Sequence, residues 1–243
     1  MKLPYLNNHD PLYYQKFSLW QNVPRSDWDD WKWQLKNTVT KVEQIEQILN
    51  LSASERDNIK QTFDKYKFAS TPYYLSLMNP DDPNCPFRLQ SIPTMHELSV
   101  QDVDINDPLG EDADMPVPNV VHRYPDRVLI TITSVCSMYC RFCTRRRFVL
   151  DKEGHKAKNE VDIIVDYISA HPEIRDCVIS GGDALMMGET MLEEIISRLR
   201  AIPHVEIIRL ASKIPCVFPM RITDSLVKML AKYQPIYFMT HFN

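Results

Sequence analysis

Strand-like and helix-like patterns alternate along the second half of the sequence, and this alternation constrains the fold more than any other feature. An apolar, β-branched run from Val128 to Thr133 is followed by an amphipathic pattern from Val161 to Ile168. The alternation then continues, with strands predicted at 177–179, 205–210 and 236–239 and helices at 192–199 and 226–233. Strand–helix–strand units of this kind form parallel sheets, so the sequence predicts an α/β fold with a parallel, buried sheet.

Helical patterns dominate the first hundred residues instead. Apolar residues recur at helical spacing over 28–39 and again over 42–49, where they form one stripe. A further helix begins at Ser52 or Ser54, and Glu55 is placed to form a capping box with Ser52. These stripes are typical of core packing.

These patterns, together with the turn-forming residues between them, divide the chain into three predicted parts. We predict an N-terminal helical region at 1–100, an extended connecting segment at 101–126, and the α/β region at 127–243. Four strands are visible in the last part, which is too few to close a barrel. Either the sheet is open or the chain stops midway through a barrel, and in both cases 236–239 becomes an exposed edge strand.

Composition and charge exclude several classes of protein. Of the 243 residues, 44% are hydrophobic and 25% are charged, which is typical of a globular chain rather than a disordered one. The formal net charge of −4, without a basic face, argues against a nucleic-acid partner. Neither a transmembrane run nor the apolar core of a signal peptide is visible, so we expect a cytoplasmic protein whose six cysteines are reduced.

A cysteine triplet provides the strongest chemical signal. Cys136, Cys140 and Cys143 form a C-x3-C-x2-C motif directly after the first predicted strand. Three thiolates on one short loop can hold three irons of a [4Fe–4S] cluster and leave the fourth iron open to a small molecule. Zinc is the competing metal, although closed structural zinc sites take four ligands. The other cysteines are predicted to be buried thiols: Cys85, Cys177 and Cys216.

The sequence around this triplet closely resembles the lysine 2,3-aminomutase family of radical S-adenosylmethionine enzymes. It reads HRYPDRVLITITSVCSMYCRFCTRRRF at 122–148. The same resemblance is carried by TPYYLSLMNPDDPNCP at 71–86, ISGGDAL at 179–185, IPHVEIIRL at 202–210 and THFN at 240–243. It extends from about Trp20 to the last residue.

This resemblance implies a partial (β/α) barrel of the TIM-like, radical S-adenosylmethionine type. Its cofactors would be a [4Fe–4S] cluster, S-adenosyl-L-methionine and pyridoxal 5′-phosphate. An electron from a flavodoxin or ferredoxin would cleave S-adenosylmethionine, and the resulting 5′-deoxyadenosyl radical would take a hydrogen from C3 of an amino acid held on pyridoxal phosphate. The amino group would then migrate from C2 to C3. A homo-oligomer is expected for the full-length form.

The resemblance also implies roles for individual residues. Cys136, Cys140 and Cys143 would hold the cluster, and Phe142, which replaces a histidine common in the lysine enzymes, would lie near adenine. The segment Ser180, Gly181, Gly182 and Asp183 matches the part of the family that receives the methionine moiety of S-adenosylmethionine. Glycine permits close backbone approach there, and a carboxylate suits an ammonium group, although Asp183 would also suit the start of the following helix.

Four further residues match family positions near the substrate and pyridoxal phosphate. Arg145 corresponds to the arginine that holds the substrate carboxylate, which a planar guanidinium can bind through two hydrogen bonds. Arg123 and Arg127 match positions close to the cofactor phosphate, and His241 belongs to a motif that reaches the cofactor pocket. Without the resemblance, the run Arg145–Arg147 would be interpreted as a solvated surface stripe.

Several features leave the activity open. The family's cofactor lysine lies in a glycine-rich segment beyond THFN, so no catalytic residue is assigned, and the chain resembles the first half to two thirds of an aminomutase. Conversion of L-lysine to L-β-lysine is the preferred activity. The alternatives are a glutamate 2,3-aminomutase, the mutase that supplies β-lysine to elongation factor P, an inactive cluster-binding fragment, and a zinc-dependent interaction module.

Overall fold

Two compact units make up the computed structural model, which describes residues 10–99, 105–149 and 158–242. Unit 1 comprises Met1–Asp104 and Ser137–Cys143, and unit 2 comprises Ile105–Cys136 and Thr144–Asn243, each to the extent that it is described. The predicted boundary at residue 100 lies outside the described residues, as do residues 1–9 of the N-terminal stretch that lacks the apolar core of a signal peptide.

Unit 1 consists of short helices, as the sequence predicts. Its α-helices are α1 (Arg25–Trp28), α2 (Trp31–Lys36), α3 (Val42–Ile45), α4 (Ala53–Lys65), α5 (Pro72–Ser76) and α6 (Pro86–Ser91). Its 3-10 helices cover Tyr13–Lys16, Ser18–Trp20 and Met95–Leu98. The apolar stripe predicted over 42–49 is confirmed as core: Val42, Ile45, Ile48 and Leu49 are buried.

Trp28 is the centre of an aromatic cluster in unit 1. It is fully buried, stacks on Tyr14 with ring centroids 3.9 Å apart, and meets Trp20 edge-on at 5.4 Å. Stacked and edge-on aromatic pairs add stabilisation beyond their buried area. This cluster joins the first 3-10 helices to α1.

The single helix predicted over 28–39 is wrong. The side chain of Asp30 accepts a hydrogen bond from the backbone N–H of Lys32 at 2.9 Å, which ends one helix and starts the next. Val39 instead pairs with Ser70 in an isolated antiparallel bridge. Helical spacing was therefore present, but local capping by an aspartate divided the helix.

Helix α4 begins with the predicted capping box, and Ser52 rather than Ser54 is its N-cap. The N–H of Glu55 donates to Ser52 Oγ at 3.2 Å, and the N–H of Ser52 donates back to Glu55 Oε2 at 2.9 Å. The Ser52 N–H, together with the Ser52 hydroxyl that donates to Glu55 Oε2 at 2.7 Å, lowers the pKa of Glu55, because both bonds favour the ionised carboxylate.

Unit 2 contains a five-stranded sheet in the order β1 (Val120–Tyr124), β2 (Arg127–Thr133), β3 (Asp176–Gly181), β4 (Ile207–Ala211), β5 (Ile236–Met239). Its helices are α7 (Arg146–Val149), α8 (Lys158–Ser169), α9 (Glu189–Arg200), α10 (Ile214–Val217) and α11 (Asp224–Ala231), with 3-10 helices at Ala184–Met186 and Pro219–Arg221. Strands β2 to β5 are parallel. The predicted α/β class is confirmed, and β5 is the predicted edge strand.

Strand β1 was not anticipated, and it makes the expectation of a wholly parallel sheet wrong. It pairs antiparallel with β2, with Tyr124 opposite Arg127 across a tight Pro125–Asp126 connection. So short a connection can join only antiparallel strands. Strand β4 also starts later than predicted, because Val205 lies in a turn and its N–H donates to Ile202.

The two faces of the sheet differ in burial. One face is wholly buried along β2 and β3, and it includes Ile130 and Ile179. Helices α8, α9 and α11 are amphipathic, and α9 packs on α8, α11 and β4. On the other face, Leu129 and Val178 are only half-buried and Tyr237 is exposed. The prediction of a sheet buried on both faces is therefore wrong. In the described part of the chain, no helix has the length and apolar character needed to cross a membrane.

Replacement of the α4 cap should destabilise unit 1 in a pH-dependent way. Ser52→Ala is expected to lower the free energy of unfolding by about 1 kcal/mol, since it removes the acceptor for the N–H of Glu55 and also the hydroxyl that donates to the Glu55 carboxylate at 2.7 Å. Because the folded-state pKa of Glu55 is depressed, its contribution is present above its unfolded pKa and is lost as the pH falls through the folded value. The cost should therefore shrink in acid. Chemical denaturation at neutral and acidic pH measures both effects.

Ser54→Ala is the matched control, since Ser54 is exposed inside the first turn of α4. It should change the free energy of unfolding by no more than about 0.5 kcal/mol. Equal losses for the two variants would contradict the assignment of the cap.

Candidate functional site

The carboxyl ends of the parallel strands form one edge of the unit 2 sheet. In α/β sheets this edge is where ligands bind. The loops after β2 and β3 are tied together there by backbone hydrogen bonds: Gly182 N–H donates to the carbonyl of Thr133, and Asp183 N–H donates to the carbonyl of Val135 at 2.9 Å. Cys136 follows directly in the chain.

The adjacent glycines Gly181 and Gly182 are required by this close approach. Gly181 has a φ of +117°, which lies in the region that favours glycine. A Cβ on Gly182 would lie 2.5 Å from the carbonyl oxygen of Val135, a distance no real Cβ contact reaches. The sequence analysis expected glycine to permit the close approach of a ligand. In the structure, the close approach is between two segments of the protein itself.

Asp183 ties β3 to β4. Its buried carboxylate accepts hydrogen bonds from Leu185 N–H at 3.0 Å, Ser212 Oγ at 2.7 Å and Lys213 N–H at 2.8 Å. Burial raises the pKa of Asp183, and the hydrogen bond from Ser212 opposes that rise. The helix-capping role considered in the sequence analysis is realised at residues 184–186. Its role toward an ammonium group stays a prediction.

Backbone and side-chain bonds within unit 1 hold the cysteine loop that follows Cys136. Tyr139 N–H donates to the carbonyl of Ala69 at 3.1 Å, and Arg141 N–H donates to the carbonyl of Gln90 at 2.9 Å. The Arg141 guanidinium forms a bidentate pair with Glu97 at 2.9 and 2.5 Å. The loop is therefore fixed on both sides of Cys140, and Cys143 follows two residues after Arg141.

The six cysteines divide by burial. Cys85 and Cys177 are buried, and burial raises the pKa of Cys177 to about 12. The motif cysteines are partly exposed thiols, as is Cys216, which was predicted to be buried. Soft, accessible sulfur donors fit an iron–sulfur cluster in kind and spacing. Over the described ranges, no three His, Cys, Asp or Glu side chains are grouped closely enough to hold a metal ion.

Arg145 is paired with a residue that the sequence analysis missed. Its Nη2 donates to Glu111 Oε1 at 2.6 Å and its Nε donates to the same carboxylate at 2.9 and 3.0 Å. Glu111 is buried. The only signal in the sequence was the run DPLGEDAD at 107–114, which has four acidic residues in eight and precedes the arginine run by about thirty positions.

Arg123 and Arg127, the two arginines expected near a cofactor phosphate, line a common cavity of about 200 Å³ in unit 2. Its other lining residues are Leu109, Glu111, Val121, Tyr124, Val128, Leu129 and Val178. Arg123 pairs with Asp114 at 2.6 Å, and Arg127 pairs with its neighbour Asp126 at 3.0 Å. The structure thus brings both arginines and Glu111 to one cavity.

The remaining predicted residues lie at separate places. Ser180 is buried in β3 opposite Thr131, and Phe142 is half-exposed on the cysteine loop. His241 follows β5 and is exposed, and its carbonyl accepts a hydrogen bond from Cys216 Sγ at 2.8 Å. None of their predicted ligand contacts is tested by these positions.

Substitution of Gly182 should show how tightly the two strand ends are packed. Gly182→Ala is expected to lower the free energy of unfolding by at least about 2 kcal/mol, because the new methyl group must displace the backbone of Val135. Gly188→Ala is the matched control, since nothing lies within 4 Å of its Cβ position. Its cost should stay within about 1 kcal/mol, from weaker capping of α9. Denaturant titration measures both, and similar losses would contradict the close approach.

Comparison with known proteins identifies relatives over nearly the whole chain. No family model matches. The chain is 49% identical over 222 residues to an L-lysine 2,3-aminomutase of Fusobacterium nucleatum, covering 91% of this chain and 52% of that protein. It is 48% identical over 229 residues to the L-lysine 2,3-aminomutase of Clostridium subterminale, covering 94% and 55%.

A glutamate 2,3-aminomutase of Clostridioides difficile is 43% identical over 222 residues, covering 91% of this chain and 52% of that protein. The family resemblance predicted from the sequence is thus confirmed. By sequence, the chain belongs to the lysine 2,3-aminomutase family, and it spans about half the length of the relatives it matches.

Proposed function

We propose that this chain contributes to an amino-acid 2,3-aminomutase, an isomerase that converts L-lysine to L-β-lysine. The observation that carries the proposal is the identity of 48% and 49% to two proteins named L-lysine 2,3-aminomutase. The place of the cysteine motif in the chain supports it, because its first member, Cys136, closely follows the carboxyl end of β2, and α/β sheets bind ligands at such strand ends.

The cysteine loop is the proposed cluster site. Cys136, Cys140 and Cys143 would hold a [4Fe–4S] cluster, while S-adenosylmethionine would bind beside it, with Phe142 and the segment 180–183 in contact. When bound, the cluster, S-adenosylmethionine and pyridoxal phosphate supply a one-electron route to hydrogen removal and amino-group migration. In this proposal a flavodoxin or ferredoxin donates the electron.

The cavity of unit 2 is the proposed site for the phosphate of pyridoxal phosphate. Arg123 and Arg127 bring two guanidinium groups to it, and guanidinium geometry suits phosphate oxygens. Arg127 is half-exposed and its pair with Asp126 joins sequence neighbours at the surface. Exposed pairs of this kind stabilise little, so the guanidinium can turn to a phosphate at small cost. His241 is proposed to reach the same cofactor.

The proposed architecture is a partial (β/α) barrel to which the sheet of unit 2 contributes parallel strands. Its half-buried face, which carries Leu129 and Val178, would then face the interior. The proposal includes a homo-oligomer for the full-length form.

Isomerisation of lysine is the direct test. The protein isolated anaerobically from its own cells, supplied with its cofactors and a reductant, should convert L-lysine to L-β-lysine, measured by chromatography of derivatised amino acids. L-Glutamate under the same conditions tests the second candidate, which the relative from Clostridioides difficile favours. Conversion of glutamate alone would replace the lysine assignment, and conversion of neither would refute the mutase.

Loss of one motif cysteine should abolish iron binding. After anaerobic reconstitution, Cys140→Ser is expected to retain less than about a tenth of the wild-type iron, because oxygen is a poorer ligand than thiolate for these irons. Cys216→Ser is the matched control, since Cys216 is also a partly exposed thiol but lies outside the motif. Iron content and visible absorption measure both. Equal iron in the two variants would contradict the cluster site.

A further inference from the structure

The pair between Arg145 and Glu111 uses one particular edge of the guanidinium. Glu111 accepts from Nε and Nη2, at 2.6–3.0 Å. These bonds occupy the side of the group that carries Nε. Arginine has five N–H donors in a rigid plane, and Nη1 of Arg145 has no hydrogen-bond partner among the described residues. The edge formed by Nη1 and the second N–H of Nη2 therefore stays available for another carboxylate.

Burial makes the orientation of this pair well defined. The side chain of Glu111 is 8% exposed and that of Arg145 is 22% exposed. A bidentate pair out of water holds the guanidinium in one plane, since each alternative orientation would leave a buried charge unpaired. Glu111 also lines the cavity that Arg123 and Arg127 line. The pair consequently holds Arg145 next to that cavity.

The loop that carries Glu111 is itself braced on both sides. The carboxylate of Asp107 accepts a hydrogen bond from Asp112 N–H at 2.9 Å, which lowers the pKa of Asp107. Arg147 pairs with Asp107 at 3.1 Å and with Asp112 at 2.8 Å. Segment 107–114 is thus attached to the arginine run at two points, and Glu111 lies between them in sequence.

We propose that Glu111 is a positioning residue that fixes Arg145 so that its open edge receives the α-carboxylate of the amino-acid substrate. The proposal rests on the proposed function, in which Arg145 binds that carboxylate. Glu111 does not touch the substrate in this scheme. It acts through the orientation of Arg145, and no covalent step is involved.

Comparison of L-lysine with L-lysinamide isolates this role, because the amide lacks the carboxylate. Equilibrium binding of both is measured on the cofactor-loaded protein, for the wild type and Glu111→Gln. The wild type should prefer lysine, and Glu111→Gln should reduce that preference by about tenfold while lysinamide affinity changes little. A role in folding alone would weaken both ligands equally.

Two further variants complete the test. Glu206→Gln removes one negative charge from an exposed position of unit 2 outside the 107–114 loop, where Glu206 pairs with the exposed Arg175, and it should leave the preference unchanged. Glu111→Asp keeps the charge but shortens the side chain, and it should give an intermediate preference if Glu111→Gln proves too unstable to purify. Thermal unfolding identifies variants whose fold is damaged.

Each outcome decides between the two proposals. An unchanged preference in both Glu111 variants, or a wild type without preference for lysine, would overturn the role of Glu111. A carboxylate preference that depends on Glu111, in a protein that yields no β-amino acid, would refute the mutase and leave the positioning role intact.

Discussion

The close approach of β2 and β3 at their carboxyl ends is the constraint on which the rest of unit 2 depends. The two strand ends approach so closely that neither Gly181 nor Gly182 could carry a side chain. Because the loops are bonded through backbone groups, Asp183 emerges at a fixed place and can reach the end of β4. Three strand ends are thereby aligned, and the segment leading into Cys136 starts from a rigid base.

Arginine–carboxylate pairs organise the irregular segments that no strand or helix can hold. In unit 1, Arg141 pairs with Glu97 and fixes the cysteine loop. In unit 2, Arg145 pairs with Glu111 and fixes the segment before β1. Both pairs are bidentate and mostly buried, so they specify geometry more than they add stability. Arg141 and Arg145 thus each have a carboxylate partner within their own unit.

The sequence predicted what depends on local pattern. Apolar runs located β2, β3 and β5, and the Ser52 capping box was placed correctly. It missed what depends on contacts between distant residues. Strand β1 is short and can be recognised only from its pairing with β2. The role of Glu111 likewise depends on Arg145, which lies 34 positions away in the sequence. The break in the helix at Asp30 was not predicted, because the helical spacing of the apolar residues does not show that the aspartate side chain caps a new helix.

The same distinction holds for the candidate site. Motif spacing identified the three cysteines and the glycine pair, since these depend on residue type and order. Spacing alone could not reveal that Asp183 is bonded to Ser212 and Lys213, because those residues lie on another strand. Ligand roles, unlike these internal contacts, depend on the proposals and their tests.

Burial of Cys177 has a consequence for handling the protein in air. With a pKa of about 12, this thiol carries almost no thiolate at neutral pH, and Cys85 is equally shielded from solvent. Oxygen and alkylating reagents act on accessible thiolates. Thiol oxidation in the folded protein will therefore fall on the motif cysteines and Cys216, and iodoacetamide labelling will report on them without background from Cys85 and Cys177.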